Sequence, residues 1–263
     1  MILKEKYNSK EHKIYLGSIL DLDREIQNKS IDLVFADPPY NMGKNFGNNK
    51  DKWKTLDDYV QWSKDWINII KPKLKDNGSF IMMGHPHYSA YLVPYLDSQF
   101  TYVNQIIYHY TDGMPEKKNF EKRYEVILYY RNNPTKYYFD IEDVRSPLVR
   151  YEKYSNTKGK NPGDVWQINR LRWNSKERVK NNNKIFHASQ KPLRLLRRII
   201  LATTKQNSVV LDPFLGMGTT SVACKELGRK SIGIEINNDY ISKAINRLKE
   251  TEFQKDKFSY EQR

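Results

Sequence analysis

One cysteine, Cys224, occurs in 263 residues, so no intrachain disulfide can form. It lies among Val222, Ala223 and Leu227 in a helical pattern, the setting of a small buried apolar group, and a catalytic thiol is not expected there. No apolar run approaches the roughly 20 residues needed to cross a bilayer. The start, Met-Ile-Leu-Lys-Glu-Lys, has no signal-peptide core, so a cytoplasmic location with no membrane partner is expected. Acidic residues are few: 31 Asp+Glu stand against 45 Lys+Arg, a formal charge of +14, the sign that draws a polyanion such as nucleic acid. His85 and His87 follow a strand two residues apart, but no cysteine or acidic cluster completes a metal site, so they are read as loop histidines. A nucleophile-elbow pattern is also missing, which leaves no sign of a covalent serine mechanism. Hydrophobic content of 38% is low but sufficient for a core, and the length suits one large α/β domain carrying an insertion.

Two acidic-proline turns stand out. Asp37-Pro38-Pro39-Tyr40 follows the apolar run 31–36, and Asp212-Pro213-Phe214-Leu215-Gly216-Met217-Gly218 follows Val209-Val210-Leu211. In an open parallel sheet ligands bind beyond the carboxyl ends of the strands, so both turns are expected to face one crevice. Gly216 and Gly218 permit a tight strand-to-helix turn and close approach of a ligand to the backbone. Glu235 ends the next strand 23 residues past Asp212, near the spacing at which an acid takes ribose hydroxyls. An adenosine-containing cofactor follows. The third glycine of a dinucleotide fingerprint is replaced by Ser221, and Asp212 repels a pyrophosphate but attracts an ammonium or sulfonium, which favours S-adenosylmethionine. Phe214 can add a cation–π contact to the sulfonium worth about 0.5–2 kcal/mol.

The other turn suits an exocyclic base amine, whose lone pair is delocalised into the ring. Acceptors near its hydrogens favour a more tetrahedral nitrogen; the Asp37 carboxylate and Pro38 carbonyl can serve, with Pro38 and Pro39 stiffening the turn and Tyr40 offering a face for stacking.

Periodicity predicts strands over 13–16, 32–36, 79–83, 102–108, 126–130, 209–211 and 231–236. A helix capped by Thr55 and Asp58 carries Tyr59, Trp62, Trp66, Ile69 and Ile70 until Asp76-Asn77-Gly78 stops the run; core packing is expected of its tryptophans rather than base stacking. Further helices are expected after Gln190-Lys191-Pro192, over 219–227 and over 239–250. Residues 41–50 read as a loop. Between Arg131 and Lys191 periodicity fades, and 14 Lys+Arg against 6 Asp+Glu leave a net +8. Tyr137, Tyr138, Phe139, Tyr151, Tyr154, Trp166 and Trp173 interleave with these cations, the mixture that holds phosphates and stacks on bases.

These residues resemble the S-adenosylmethionine-dependent DNA amino-methyltransferases, in particular the permuted beta group of bacterial modification enzymes. The DPPY motif of that family is similar to Asp37 through Tyr40, DPFxGxGTT to Asp212 through Thr220, and HxxQKP to His187 through Pro192. The order also matches: catalytic motif, basic target-recognition segment, then cofactor motif. The likeness covers nearly the whole chain except 136–184. It implies a Rossmann-like methyltransferase fold, a mostly parallel twisted sheet with helices on both faces. The implied division is a catalytic half (1–131), a target-recognition insertion (132–185), a cofactor-binding half (186–250) and a polar tail (251–263). By the same likeness Gln190, Lys191 and Thr219 enclose the methionine part of the cofactor, beside Asp37, and Glu235 holds the ribose. Relatives often carry an aspartate where Ser18 stands, which leaves Asp21 as a substitute contact to the adenine. The implied reaction is methylation of the N6 amine of an adenine flipped from duplex DNA, with Lys44, Lys50 and Lys52 holding the backbone. Cytosine N4 is the alternative, which Asp37 disfavours without excluding it, since enzymes acting there usually carry serine in that position. RNA or a protein glutamine is a further alternative, which the motif order disfavours. A homodimer and a cognate restriction endonuclease are partners the resemblance allows.

Overall fold

The computed structural model describes residues 2–44, 51–112, 116–146, 159–181, 184–185 and 189–254. Lys50, Tyr151, Tyr154, His187, Ala188 and most of the tail therefore lie outside the described residues. In chain order the strands are β1 (Lys4–Asn8), β2 (His12–Leu16), β3 (Ile31–Ala36), β4 (Leu74–Gly84), β5 (Thr101–His109), β6 (Tyr124–Arg131), β7 (Val165–Gln167), β8 (Lys180–Asn181), β9 (Lys184–Ile185), β10 (Val209–Asp212) and β11 (Lys230–Glu235). The helices are α1 (Leu56–Ile70), α2 (Pro86–Ala90), α3 (Val93–Gln99), α4 (Leu193–Thr203), α5 (Thr219–Glu226) and α6 (Asn238–Glu250).

Nine strands form one sheet in the order β1-β2-β11-β10-β3-β4-β6-β5-β7, and β8 pairs with β9 apart from it. Strands β2, β11, β10, β3 and β4 are mutually parallel. β1 runs antiparallel along β2, β6 runs antiparallel between β4 and β5, and β7 lies parallel to β5. Two strands from the far end of the chain thus separate β2 from β3. The chain leaves β10 toward β11 on one side and β3 toward β4 on the other, so the seam between β10 and β3 is the topological switch point, where a crevice must open beyond the strand ends.

Alternation along β3 sends Phe35 to one face and Val34 to the other. The first face packs on α4 and α5 through Leu196, Ile199, Val222 and Ala223. The second packs on α1 and α3 through Trp66, Ile67, Ile70 and Leu96. α6 seals the cofactor half through Ile241, Ala244 and Leu248 against Ile14 and Leu215. Thr55 caps α1 in a reciprocal box with Asp58, as the spacing predicts. Cys224 is fully buried within α5.

Asp76-Asn77-Gly78 does not end the helical run. α1 gives way at Lys71 to a 3-10 turn, and the triplet lies inside β4, which begins at Leu74. The β3–β4 register shifts between Ile31 and Leu33, a bulge that accommodates the extra residues. β1 carries little apolar signal because it is an edge strand, largely exposed and charged. The segment after Arg131 is not independent of the sheet either: its β7 adds to β5, and Trp166 is buried beneath Arg198.

Trp66 is fully buried against Phe80 and edge-on to Phe214. Replacing Trp66 with alanine is expected to lower the unfolding free energy by about 3–5 kcal/mol, read as a lower urea midpoint.

Candidate active site

The seam between β10 and β3 opens into a cavity of about 370 Å³, lined by the Asp37-to-Tyr40 turn on one side and by residues 212–217, 219 and 220 on the other. That volume suits a small cofactor. Two turns 175 residues apart in sequence meet because β3 and β10 are hydrogen-bonded neighbours, with Val34 opposite Leu211.

On the side of the Asp-Pro-Pro-Tyr turn, the Asp37 carboxylate lies half-buried just past the end of β3 within a cluster of four groups. Lys191 Nζ lies 3.1 Å from Asp37 Oδ2 and 3.0 Å from Glu125 Oε2. Tyr40 Oη lies 2.5 Å from Asp37 Oδ1 and 3.0 Å from Glu125 Oε2. Glu125, on β6, is a site residue the motifs do not show. It arrives because β6 runs antiparallel to β4, which sets its N-terminal end at the edge where β3 and β4 finish. Burial pushes the Asp37 carboxyl upward; the Lys191 ammonium pulls it back and the Glu125 charge pushes it up again, leaving it above the usual carboxylate range. For Glu125 burial also acts upward, but Lys191 outweighs it and the group stays low. Lys191 is held firmly protonated, because its two carboxylates outweigh the burial penalty. Tyr40 has one proton for two acceptors, so both of its hydrogen bonds are complete when Asp37 carries a proton and donates.

The same Lys191 lines the cavity, 5.3 Å from the Tyr40 ring. Its ammonium is directed to the Asp37 and Glu125 carboxylates. Gln190 is buried, and both ends of its amide are engaged: Val179 N donates to Oε1 at 3.0 Å, and Nε2 donates to the Glu177 carbonyl at 2.7 Å. It therefore pins the end of the basic segment to the motif. Asp51, also unsignalled in sequence, accepts from Tyr40 N at 3.3 Å and from Lys44 N at 2.6 Å, fixing the chain beyond the DPPY turn.

On the cofactor side Gly216 and Gly218 adopt positive φ of 53° and 75°. A Cβ on Gly218 would lie 2.8 Å from Ala244 Cβ and 3.1 Å from its Cα, so α6 leaves no room for one. Glu235 holds the turn by accepting from Gly216 N and Asn237 N, each at 2.8 Å. Asp212 accepts from Phe214 N at 3.0 Å and Thr220 Oγ1 at 2.6 Å. Burial raises its carboxyl to about 7 against these stabilising bonds. Arg247, from α6, donates to the Met217 carbonyl and to Thr219 Oγ1. Phe214 contacts Trp62 and Trp66 edge-on or tilted, and Trp62, Trp53 and Ile236 give the cavity its apolar wall. Ser18 also lines it, whereas Asp21 is occupied in capping by accepting from Ser18 N and is not among the lining residues.

The donor set fits S-adenosylmethionine: three carboxylates, the buried Asp212 and the half-buried Asp37 and Glu235, line the cavity with an aromatic wall, a surface suited to a cation with a hydroxylated sugar and ill-suited to a pyrophosphate. A family profile described as DNA methylase matches residues 31–246. The chain belongs to that DNA methylase family. Among curated relatives, it is 34% identical to the type II methyltransferase M.HpaI of Haemophilus parainfluenzae, over 90% of this chain and 74% of that one. It is also 34% identical to the DNA adenine methyltransferase YhdJ of Escherichia coli, over 92% of this chain and 84% of that one. The solved structure of the PvuII cytosine-N4-specific DNA methyltransferase shares the fold, with a TM-score of 0.73, 19% identity, and coverage of 93% of this chain and 89% of that one. A relative solved with S-adenosylmethionine, 26% identical, also matches. This DNA methylase is therefore an S-adenosylmethionine-dependent enzyme acting on DNA, with the Rossmann-like methyltransferase fold.

Among the described residues no group of three or more His, Cys, Asp or Glu is placed to hold a metal. His85 instead caps α2.

Two expectations follow from the electrostatics. If Asp37 accepts an amine hydrogen it must be ionised to do so, and the acid limb of single-turnover methyl transfer then reports its proton. Glu125→Gln removes a charge that raises Asp37 and is expected to move that limb to lower pH, whereas Lys191→Met is expected to move it to higher pH. Shifts in the same direction would contradict the cluster. For Asp212, the raised folded value means that the unfolded chain loses its proton first. The contribution of Asp212 to stability is therefore full below about 4 and lost as pH rises toward about 7. Thermal melts should show this slope in the wild type and not in Asp212→Asn.

Proposed function

We propose that this DNA methylase transfers a methyl group to the N6 amine of adenine in duplex DNA, as the modification enzyme of a restriction-modification system. The observation that supports adenine most directly is the ionisable Asp37, half-buried beside Lys191, which also contacts Glu125, at the first position of the Asp-Pro-Pro-Tyr turn. When bound, S-adenosylmethionine supplies an activated methyl group. Asp37 accepts a hydrogen bond from the target amine, Pro38 offers its carbonyl to the other hydrogen, and Pro39 keeps the turn rigid. Tyr40 lines the pocket that receives the flipped base. The nitrogen loses a proton as it gains the methyl group, and Asp37 is the nearest acceptor. On the cofactor side Asp212, Phe214, Gly216, Gly218, Thr219 and Glu235 hold the donor, with Gln190 and Lys191 closing the other wall.

The fourfold division at 131/132, 185/186 and 250/251 is proposed as functional rather than structural, because β7 belongs to the common sheet. A homodimer, a cognate endonuclease and a cytoplasmic site of action complete the reading. No helix among the described residues is long and apolar enough to cross a membrane. Cytosine N4 is the runner-up, since the solved cytosine-N4 enzyme shares the fold.

Tritiated methyl transfer to duplex DNA, followed by nucleoside analysis, is expected to yield N6-methyladenine; N4-methylcytosine would move the assignment to the runner-up. Asp37→Ala should lose about 100- to 1,000-fold in turnover, the scale for removing one preorganised acceptor, with cofactor binding largely kept. Wild-type turnover in that variant would overturn the mechanism. Sedimentation of the purified protein near 31.3 kDa, rather than twice that mass, would remove the homodimer.

A further inference from the structure

The connection between β5 and β6 presents a phenylalanine to solvent without any packing. Phe120 is 100% exposed, the extreme among the large apolar side chains of the described residues. Lys117, Lys118 and Lys122, all exposed, surround it in sequence. An isolated, fully exposed aromatic among cations has no role in the core.

Its location in the fold is specific. β6 is antiparallel to β4 and β5 is antiparallel to β6, so this hairpin turns over the same sheet edge at which β3 and β4 end. Glu125, five residues beyond Phe120, is already in contact with Lys191 and Tyr40. Five extended residues reach at most about 17 Å, so the Phe120 backbone is within that distance of the Glu125 backbone.

The base of the hairpin is held in place. Tyr110 N donates to the Arg123 carbonyl at 3.0 Å, and the Arg123 guanidinium donates to the Thr111 carbonyl and the Glu121 carboxylate. Thr111 Oγ1 donates to Asn169 Oδ1 at 2.9 Å, while Arg170 donates to the Asp112 carbonyl at 2.9 Å and covers the Tyr110 ring at 4.1 Å. These contacts tie the hairpin to the segment after β7, where Trp173 is exposed with Lys180 4.4 Å from its ring.

We propose that Phe120 is a positioning residue for base flipping: the hairpin lies against the duplex, its lysines meet phosphates, and the Phe120 ring occupies the stack vacated by the target base. Apolar side chains inserted at base steps offset unstacking in this way, and aromatic rings stack on any base. The assignment rests on the reading of the site as a flipping DNA methyltransferase.

The test uses the full-length protein and two duplexes carrying the methylated site as mapped by sequencing: one fully paired, the other abasic opposite the target, so that the base is already unpaired. On the paired duplex Phe120→Ala should lose about tenfold or more in kcat/KM, as expected for losing one stacking side chain. On the abasic duplex it should stay within about threefold of wild type, because no pair has to open. Phe120→Trp should retain activity on both. Equal loss on both duplexes, or no loss on the paired one, would overturn the proposal. If sequencing finds no methylated site in DNA exposed to the wild type, the DNA reading itself falls before Phe120 is tested, so the two failures are distinguishable.

Discussion

The ammonium of Lys191 between the carboxylates of Asp37 and Glu125 is the contact on which the catalytic site depends. Three segments distant in sequence, the turn just past β3, the start of β6 and the residues just before α4, supply its members: Lys191 is buried and the two carboxylates are half-buried, so each charge is partly desolvated and needs its partner. Two acids against one base leave a deficit of one positive charge. Lys191 Nζ reaches the two carboxylates at 3.1 and 3.0 Å, and desolvation together with the neighbouring Glu125 charge leaves Asp37 with a carboxyl that holds its proton more tightly than usual. Such a group is a better proton acceptor than an exposed aspartate once it is ionised.

That cluster is assembled by topology. Placing β10 and β11 between β2 and β3 creates the switch point, and the antiparallel β6 returns the chain to the same edge with Glu125 at its start. The cofactor turn is secured independently: Glu235 grips Gly216, Asp212 grips Phe214 and Thr220, and Arg247 ties α6 to the turn. Each wall of the cavity is thus rigid through its own hydrogen bonds, and catalysis requires only that the two walls keep their spacing across β3 and β10.

Much of this was legible in sequence because the information was local. The strand before Asp37, the glycines after Asp212 and the Thr55 cap each announce themselves within a few residues, and the periodicity of Tyr59, Trp66 and Ile70 marks a buried face. What was not legible depends on pairing between distant segments. Glu125 looks like any charge at the start of an apolar strand until β6 is placed beside β4. Asp51 lies past a loop with no period, and β7 is too short to show alternation. Asp76-Asn77-Gly78 carries turn chemistry that the structure uses inside a bulged strand, because tertiary pairing overrides local preference. Lys191 was legible as a site residue but not as the partner of two acids, since sequence cannot say which wall of a cavity an ammonium faces.

The most direct measurement of the central claim is a carbon-13 NMR titration of the Asp37 side-chain carboxyl in selectively labelled protein, assigned with Asp37→Asn. A midpoint clearly above the ordinary aspartate value of about 3.9 is expected. A midpoint at or below that value would show that Lys191 dominates Asp37, and would contradict the division of charge from which the mechanism is built.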